Sequence, residues 1–179
     1  NLGKEYMGMT GKFHKSWADF GGFKNQPALE YECFMSLAYG AKCSIGDQLH
    51  PNGAINKATY ELIGSVYNQV KEKEAWCDDV EAVTEIAVFT PEAIRNEGIR
   101  LYPSMKGAYR MLVESHYQFD VVDEHMDYSK YKVLILPDMI TLDSDLLNKI
   151  KAFIEKGGKL LLSYKSGMDR DEKEFILEE

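Results

Sequence analysis

The sequence predicts an α/β protein in which a flavodoxin-like parallel-sheet domain follows a βαβα segment typical of the end of a (β/α)8 barrel. Short apolar runs with strand character alternate with longer runs whose apolar residues recur at helical spacing. Such alternation favours a parallel sheet that helices cover on both faces. The pattern also changes near residues 77–79, where Cys-Asp-Asp separates a looser first part from a more regular second part. We therefore predict two domains, residues 1–77 and residues 78–179.

The first part contains two predicted strands, each followed by a helix. A strand over residues 7–13 leads into a polar and aromatic segment, and Pro27 is typical of the first turn of a helix. A second strand covers residues 41–45. Asn56 is a suitable N-cap for a long amphipathic helix that runs to about Trp76. This order is that of two successive βα units.

The second part alternates more regularly. Its predicted strands are residues 85–90, 119–123, 132–137 and 159–164. A polar loop covers 91–103, and Ser104 and Ser144 are the predicted caps of the two intervening helices. Right-handed crossovers between such strands give a flavodoxin-like layout. Asp138 follows the third strand, where that layout places ligand groups, although an Asp after a Pro is also common in turns.

The composition argues against several classes of partner. Apolar residues make up 45% and charged residues 28% of the 179 residues, which is ordinary for a globular protein. The formal net charge of −8 disfavours nucleic acid and anionic membranes, because both need a basic face. No apolar run is long enough to cross a membrane. We expect neither nucleic acid nor a membrane as a partner.

Known cofactor and nucleophile motifs are also missing from the sequence. No glycine-rich phosphate loop follows a predicted strand, and no GxSxG elbow is present. Cys33, Cys43 and Cys77 are isolated and have neither zinc spacing nor a disulfide pattern. Cys33 and Cys43 fall in apolar helix and strand patterns and are predicted to be buried thiols. We expect no cofactor and no metal site.

Two clusters of polar residues mark a candidate ligand site. Asp47, Gln48 and His50 follow Gly46 directly after the second predicted strand, and His14 and Trp17 follow the first. In α/β proteins, polar groups beyond the carboxyl ends of strands are where ligands are usually met. The alternative is a purely structural loop, in which Asp47 caps backbone N–H groups, His50 packs on the next residue, and Trp17 is a packed side chain.

The residues of these clusters resemble motifs of a known family. The runs Phe-His-Lys-Ser-Trp at 13–17, Asp-Phe-Gly-Gly at 19–22 and Ser-Ile-Gly-Asp-Gln-Leu-His-Pro at 44–51 resemble the end of the barrel in glycoside hydrolases of the α-L-fucosidase-like and β-galactosidase-like type. In that family a (β/α)8 barrel precedes a domain similar to the β-galactosidase trimerisation domain. That domain has a class I glutamine amidotransferase-like fold, which residues 85–166 suit.

The resemblance implies a role for each part. Barrel glycosidases use two carboxylates that flank the glycosidic bond, and in this family they come from strands earlier than those present here. We therefore expect a C-terminal part of a galactoside- or fucoside-type hydrolase that has no catalytic residue of its own. Its carbohydrate-facing residues would be His14, Trp17, Asp47, Gln48 and His50.

The second part is expected to serve assembly, with a homo-oligomer as the product. Amidotransferase chemistry needs a Cys on a strand-to-helix elbow, and no Cys follows Cys77. Two alternatives stay open: a self-contained flavodoxin-like binding or regulatory module, and a small hydrolase that uses His14 or His50 as a base.

Overall fold

A computed structural model describes residues 5–78, 80–95 and 102–177. The chain divides into two compact units, Asn1–Ala82 and Val83–Glu179. No helix among the described residues is both long and apolar enough to span a membrane.

The first unit consists of two strand–helix pairs. Its elements are β1 (Met7–Gly11), α1 (Gln26–Ala38), β2 (Lys42–Gly46) and α2 (Lys57–Glu74). The strands pair in parallel, with Met7 opposite Lys42 and Gly11 opposite Gly46. The predicted order of elements is therefore the one observed.

Both helices of the first unit begin at an asparagine cap. The side chain of Asn25 accepts a hydrogen bond from Ala28 N, and Pro27 lies in the first turn of α1. The side chain of Asn56 accepts a hydrogen bond from Thr59 N at the start of α2. Each cap satisfies a backbone donor that has no partner inside the helix. The cap predicted at Asn56 is confirmed.

The helices cover one face of the β1–β2 pair. Leu29 and Cys33 of α1 pack against Val66 and Val70 of α2, and strand residues such as Ile45 lie against this cluster. Because side chains alternate along a strand, the other face of β1 carries Met7 and Met9. These two side chains are 61% and 65% exposed. The first unit therefore has one packed sheet face and one exposed face, on which β1 contributes the two methionines and β2 contributes Lys42 and Ser44.

The second unit is a parallel sheet in which helices connect β3 to β4 and β5 to β6, whereas β4 leads to β5 through a segment without a helix. Its elements are β3 (Ile86–Phe89), α3 (Glu92–Arg95), α4 (Pro103–Glu114), β4 (Phe119–Val122), β5 (Val133–Leu136), α5 (Ser144–Glu155) and β6 (Lys159–Leu162). The strand order across the sheet is β4-β3-β5-β6, and each pair is parallel. This order is the flavodoxin-like one. The predicted α/β fold class is confirmed, while the loop predicted over 91–103 contains the short helix α3.

The predicted caps in the second unit were wrong, by two residues at α4, whose N-cap is Tyr102, and by one residue at α5. Helix α4 begins at Pro103, whose fixed φ suits the first helical position, so Ser104 lies within the first turn. Helix α5 is capped by Asp143, whose carboxylate accepts a hydrogen bond from Leu146 N at 2.9 Å. Ser144 is the first residue of that helix.

A polar network supports β4 within the second unit. One carboxylate oxygen of Asp120 accepts hydrogen bonds from Thr84 Oγ1 at 2.8 Å, Lys130 Nζ at 2.7 Å and Tyr131 Oη at 2.8 Å. Burial alone would raise the pKa of Asp120, but these hydrogen bonds outweigh burial and hold that pKa below its usual value. Asp120 is therefore held in its charged form.

Candidate functional site

The carboxyl ends of β1 and β2 lie side by side because the strands are parallel and in register. The polar segments 12–25 and 47–56 leave the strands at this shared edge. The residues predicted to face a ligand all belong to these two segments; they are His14, Trp17, Asp47, Gln48 and His50.

Lys12 lies beneath this edge and is only 1% exposed. Its Nζ donates a hydrogen bond to Phe20 O at 2.8 Å, and Asp19 O lies 3.5 Å away. The same Nζ is 3.9 Å from Oδ1 of Asp47. The ammonium group is thus surrounded by two carbonyls and a carboxylate, as a buried charge requires.

Sequence reasoning missed Lys12. A lysine directly after a strand is ordinarily exposed, since this residue type is almost never fully buried without a partner. Its burial depends on the 19–24 segment folding back over it, where Lys24 N donates to Lys12 O at 2.6 Å. The position of Lys12 directly after a strand could have drawn attention to it. Its burial could not have been predicted, because no local pattern shows that residues 19–24 fold back over it.

The side chain of Asp47 is held by Lys12 and by the backbone of its own loop. Its side chain is 8% exposed, and Oδ1 accepts a hydrogen bond from Gln48 N at 2.8 Å in addition to facing Lys12. The carboxylate therefore caps a backbone N–H group, as the structural interpretation of the loop predicted. The small exposed fraction limits how much of Asp47 a ligand can touch.

Gln48 joins the two segments. Its Oε1 accepts a hydrogen bond from the backbone N–H of Ala18. Ala18 has a φ of 78°, a left-handed conformation that non-glycine residues rarely adopt. The hydrogen bond that Ala18 N donates to Gln48 helps to hold this conformation, and with it the adjacent Trp17.

Trp17 is a braced but exposed aromatic side chain. Its ring meets Phe13 edge-on, with centroids 5.0 Å apart, and it is 57% exposed. A Cβ atom at Gly46 would lie 3.1 Å from Cη2 of Trp17, so glycine at that position lets the indole lie against β2. An apolar face is therefore presented at the carboxyl edge of the strands.

The two histidines differ in their surroundings. His50 is half-buried and its ring lies 5.5 Å from the ring of Phe20. His14 is exposed. The structure thus brings Trp17, Gln48 and Asp47 into one connected cluster, and links His50 to the same segment through Phe20.

A second polar cluster lies between the site and α1. Lys24 Nζ donates to both carboxylate oxygens of Glu32 at 2.8 Å and to Thr10 Oγ1 at 2.9 Å. Thr10 Oγ1 in turn donates to Glu32 at 2.5 Å. These contacts join the segment after β1 to the helix that follows it, and no local pattern predicts them.

Two observations on the described residues bear on nucleophile and metal chemistry. Burial, followed by the neighbouring Cys43, raises the pKa of Cys33 to about 12, which keeps that thiol protonated. In the part of the chain that the structure describes, no three His, Cys, Asp or Glu side chains are grouped as metal ligands.

At the corresponding edge of the second unit, Asp138 and Ser163 pair with each other. Asp138 follows β5 with a φ of 53°, and its carboxylate accepts a hydrogen bond from Ser163 Oγ at 2.7 Å. Ser163 Oγ also accepts from Asp138 N at 3.0 Å. Both groups therefore serve the turn after the strand, in line with the turn interpretation of Asp138.

Comparison with known proteins places both units in context. The family described as the β-galactosidase trimerisation domain matches residues 67–179. β-Galactosidase GanA of Bacillus subtilis is 35% identical over 68 residues, which are 37% of this chain and 10% of that enzyme. β-Galactosidase BglY of Alicyclobacillus acidocaldarius is 30% identical over 82 residues, 46% of this chain and 12% of that enzyme.

Two solved structures extend the likeness across both units. α-L-Fucosidase isoenzyme 2 from Paenibacillus thiaminolyticus superposes with a TM-score of 0.83 and 46% identity, covering 97% of this chain and 27% of that one. β-Galactosidase from Bacillus circulans superposes with a TM-score of 0.74 and 16% identity over 94% of this chain and 29% of its own, which shows a shared fold alone. The chain thus spans about a tenth of those curated relatives and about a quarter of these solved ones.

Proposed function

Because the chain belongs to the family of β-galactosidase trimerisation domains, we propose that it is the C-terminal part of a glycoside hydrolase acting on galactoside- or fucoside-type sugars. In this proposal the first unit forms part of the rim of the active site. The second unit serves the assembly of a homo-oligomer. The observation that carries the proposal is the braced, exposed indole of Trp17 beside the polar loop of β2.

Trp17 is the proposed sugar platform. An aromatic face that is fixed from behind can stack on the apolar side of a sugar ring without losing much side-chain freedom on binding. The contacts with Phe13 and Gly46 supply that support. His14, Gln48 and His50 would donate and accept hydrogen bonds to sugar hydroxyls around this platform.

Asp47 has a smaller share in the proposed subsite. It is mostly buried, and its Oδ1 is already engaged by Gln48 N. We assign to it the orientation of the 47–50 loop and only an edge contact to the sugar.

The catalytic carboxylates are proposed to come from strands outside this chain. A glycosidase needs one carboxyl group on each side of the scissile bond. At the edge described here, Asp47 holds Gln48 N, and Asp19 accepts a hydrogen bond from Gly22 N at 3.2 Å. Both are used as caps, which supports a binding role and not a catalytic one for this edge.

The exposed face of β1 supports a larger barrel. A two-stranded sheet is marginal by itself, and Met7 and Met9 project from the face opposite the helices. In a complete (β/α)8 barrel such side chains would fill the interior, where branched and long apolar residues form layers. The proposal assigns this face to contacts with further strands.

The edges of the second unit's sheet support an assembly role. The strand register places Val121, Val88, Ile135 and Leu161 in one row across the sheet. Val88 is fully buried, but Val121 and Leu161 on the two edge strands are 45% and 55% exposed. Apolar side chains of this kind are suited to burial against a second copy of the domain.

Hydrolysis of aryl glycosides tests the proposal. The full-length protein that contains this chain and the 179-residue chain would be assayed against nitrophenyl α-L-fucoside, β-galactoside and a wider panel. We expect turnover by the full-length protein alone. Turnover by the chain itself would overturn the absence of catalytic residues, and sugar binding without turnover by the full-length protein would favour the binding-module alternative.

A further inference from the structure

Lys12 is the least explained charged group of the first unit. It is buried to 1% exposure at the edge where the proposed sugar subsite lies. A buried ammonium group loses its hydration and is tolerated only when its donors find acceptors. The acceptors around Nζ are Phe20 O, Asp19 O and the Asp47 carboxylate.

Two of these acceptors, Phe20 and Asp47, lead to residues of the proposed subsite. Phe20 carries the ring against which His50 lies. Asp47 holds the N–H of Gln48. Gln48 in turn accepts the hydrogen bond from Ala18, the neighbour of Trp17. One ammonium group therefore connects the two segments that carry the platform and the polar loop.

The main chain of Lys12 reinforces this connection. Lys12 N donates to Gly46 O at 2.9 Å, which joins the end of β1 to the end of β2. Lys24 N donates to Lys12 O, which returns the 13–24 segment to the strand. These two hydrogen bonds use main-chain atoms alone, so a substitution at position 12 keeps both pairs of donor and acceptor.

We propose that Lys12 is a positioning residue, which sets the spacing between the Trp17 platform and the 47–50 loop through its charge. This inference rests on the proposed function of the same edge. It predicts that removal of the charge loosens both segments together, while the packed face between α1 and α2 is unaffected.

The first test needs no substrate. Hydrogen exchange measured by mass spectrometry would compare the full-length protein with its Lys12→Met variant, which keeps the length of the side chain but not the ammonium group. We expect faster exchange in peptides from 13–25 and 47–56 and unchanged exchange in 57–74. Lys132→Met is the matched control, because Lys132 is also paired with a carboxylate, that of Glu85, but its side chain is 70% exposed and belongs to the second unit. Unchanged exchange in both segments would overturn the inference.

The second test uses the hydrolysis assay. Lys12→Met is expected to raise KM about tenfold with a smaller change in kcat, because a subsite displaced by a fraction of an ångström binds less well. Lys12→Arg, which keeps the charge, should recover part of the loss. A lowered melting temperature and kcat with KM unchanged would make Lys12 a core residue only.

The two proposals can fail separately. If the full-length wild-type protein hydrolyses no glycoside and binds no sugar, the proposed function fails, and the exchange experiment still decides whether Lys12 positions the loops. If hydrolysis is present and both the exchange and KM of Lys12→Met match wild type, the Lys12 proposal fails alone.

Discussion

Each unit holds a charged side chain in a polar network, buried in the first unit and partly buried in the second. In the first unit, Lys12 lies under the loops at the carboxyl edge and faces backbone carbonyls and Asp47. In the second unit, Asp120 lies within β4 and is held by three side-chain donors of the same unit. The first charge supports an exposed surface, whereas the second fastens a strand to the segments around it.

The carboxyl edges of the two sheets are alike in one respect. After β2, Gln48 accepts a hydrogen bond from Ala18, which follows β1. After β5, Asp138 pairs with Ser163, which follows β6. In both units these hydrogen bonds join the segments that follow two neighbouring strands, so the case for a ligand at the first edge rests on the proposed role of Trp17.

Asp120→Asn should have the largest effect of the changes considered. The neutral amide loses a charged acceptor for three donors, which we expect to cost about 2 kcal/mol in the free energy of unfolding of the second unit. Urea titration of the chain at neutral pH measures this loss. Asp171→Asn, an exposed carboxylate paired with Lys173, is the control and should change stability by less than about 0.5 kcal/mol.

The pH dependence sharpens this prediction. The pKa of Asp120 is lower in the folded than in the unfolded chain, so its stabilisation is fully present above its usual pKa and is lost as pH falls through the folded value. The stability gap between wild type and Asp120→Asn should therefore close in acid, below the ordinary range for an Asp. A gap that persists there would mean that packing, and not charge, is responsible.

Trp17→Ala tests the proposed sugar platform of the first unit. Loss of the platform should weaken sugar binding about tenfold in the full-length protein, seen as a raised KM, because the stacked area is lost. Its melting temperature should change little, since the indole is 57% exposed. Trp76→Ala is the matched control, because Trp76 is 83% exposed and lies beyond α2, far along the chain from the carboxyl edge. Equal effects of the two variants on KM would contradict the subsite.

Much of the fold could be predicted because its strands and helices have clear local patterns of apolar residues. The strand β5 is a run of Val, Leu, Ile and Leu between a Lys and a Pro, and α5 carries Leu146, Ile150 and Phe153 on one buried face. Such periodicity reports which face is buried irrespective of the partner. The parallel order of the second unit then follows from the alternation of elements.

The candidate site could be predicted only in outline. The sequence predicts that Trp17 and Gln48 follow the carboxyl ends of strands, because the end of a strand can be recognised from the local pattern. The burial of Lys12 was not, since it depends on a hydrogen bond from Lys24 that returns a twelve-residue segment. The link between Gln48 and Ala18 spans thirty residues and likewise has no local signal.

The helix caps show the same limit on a smaller scale, and they carry the prediction with the smallest expected effect. Ser144 has the side chain of a good cap, but Asp143 precedes it and its carboxylate reaches Leu146 N. Asp143→Ala should therefore destabilise the second unit by about 1 kcal/mol, whereas Ser144→Ala should change its stability by only a few tenths of a kcal/mol. Asp143 also pairs with Arg170 at 2.7 Å, so Asp143→Asn, which keeps the cap acceptor and removes the charge, separates the two contributions. Thermal unfolding of the three variants measures the order, and a larger loss for Ser144→Ala than for Asp143→Ala would restore the serine as the cap.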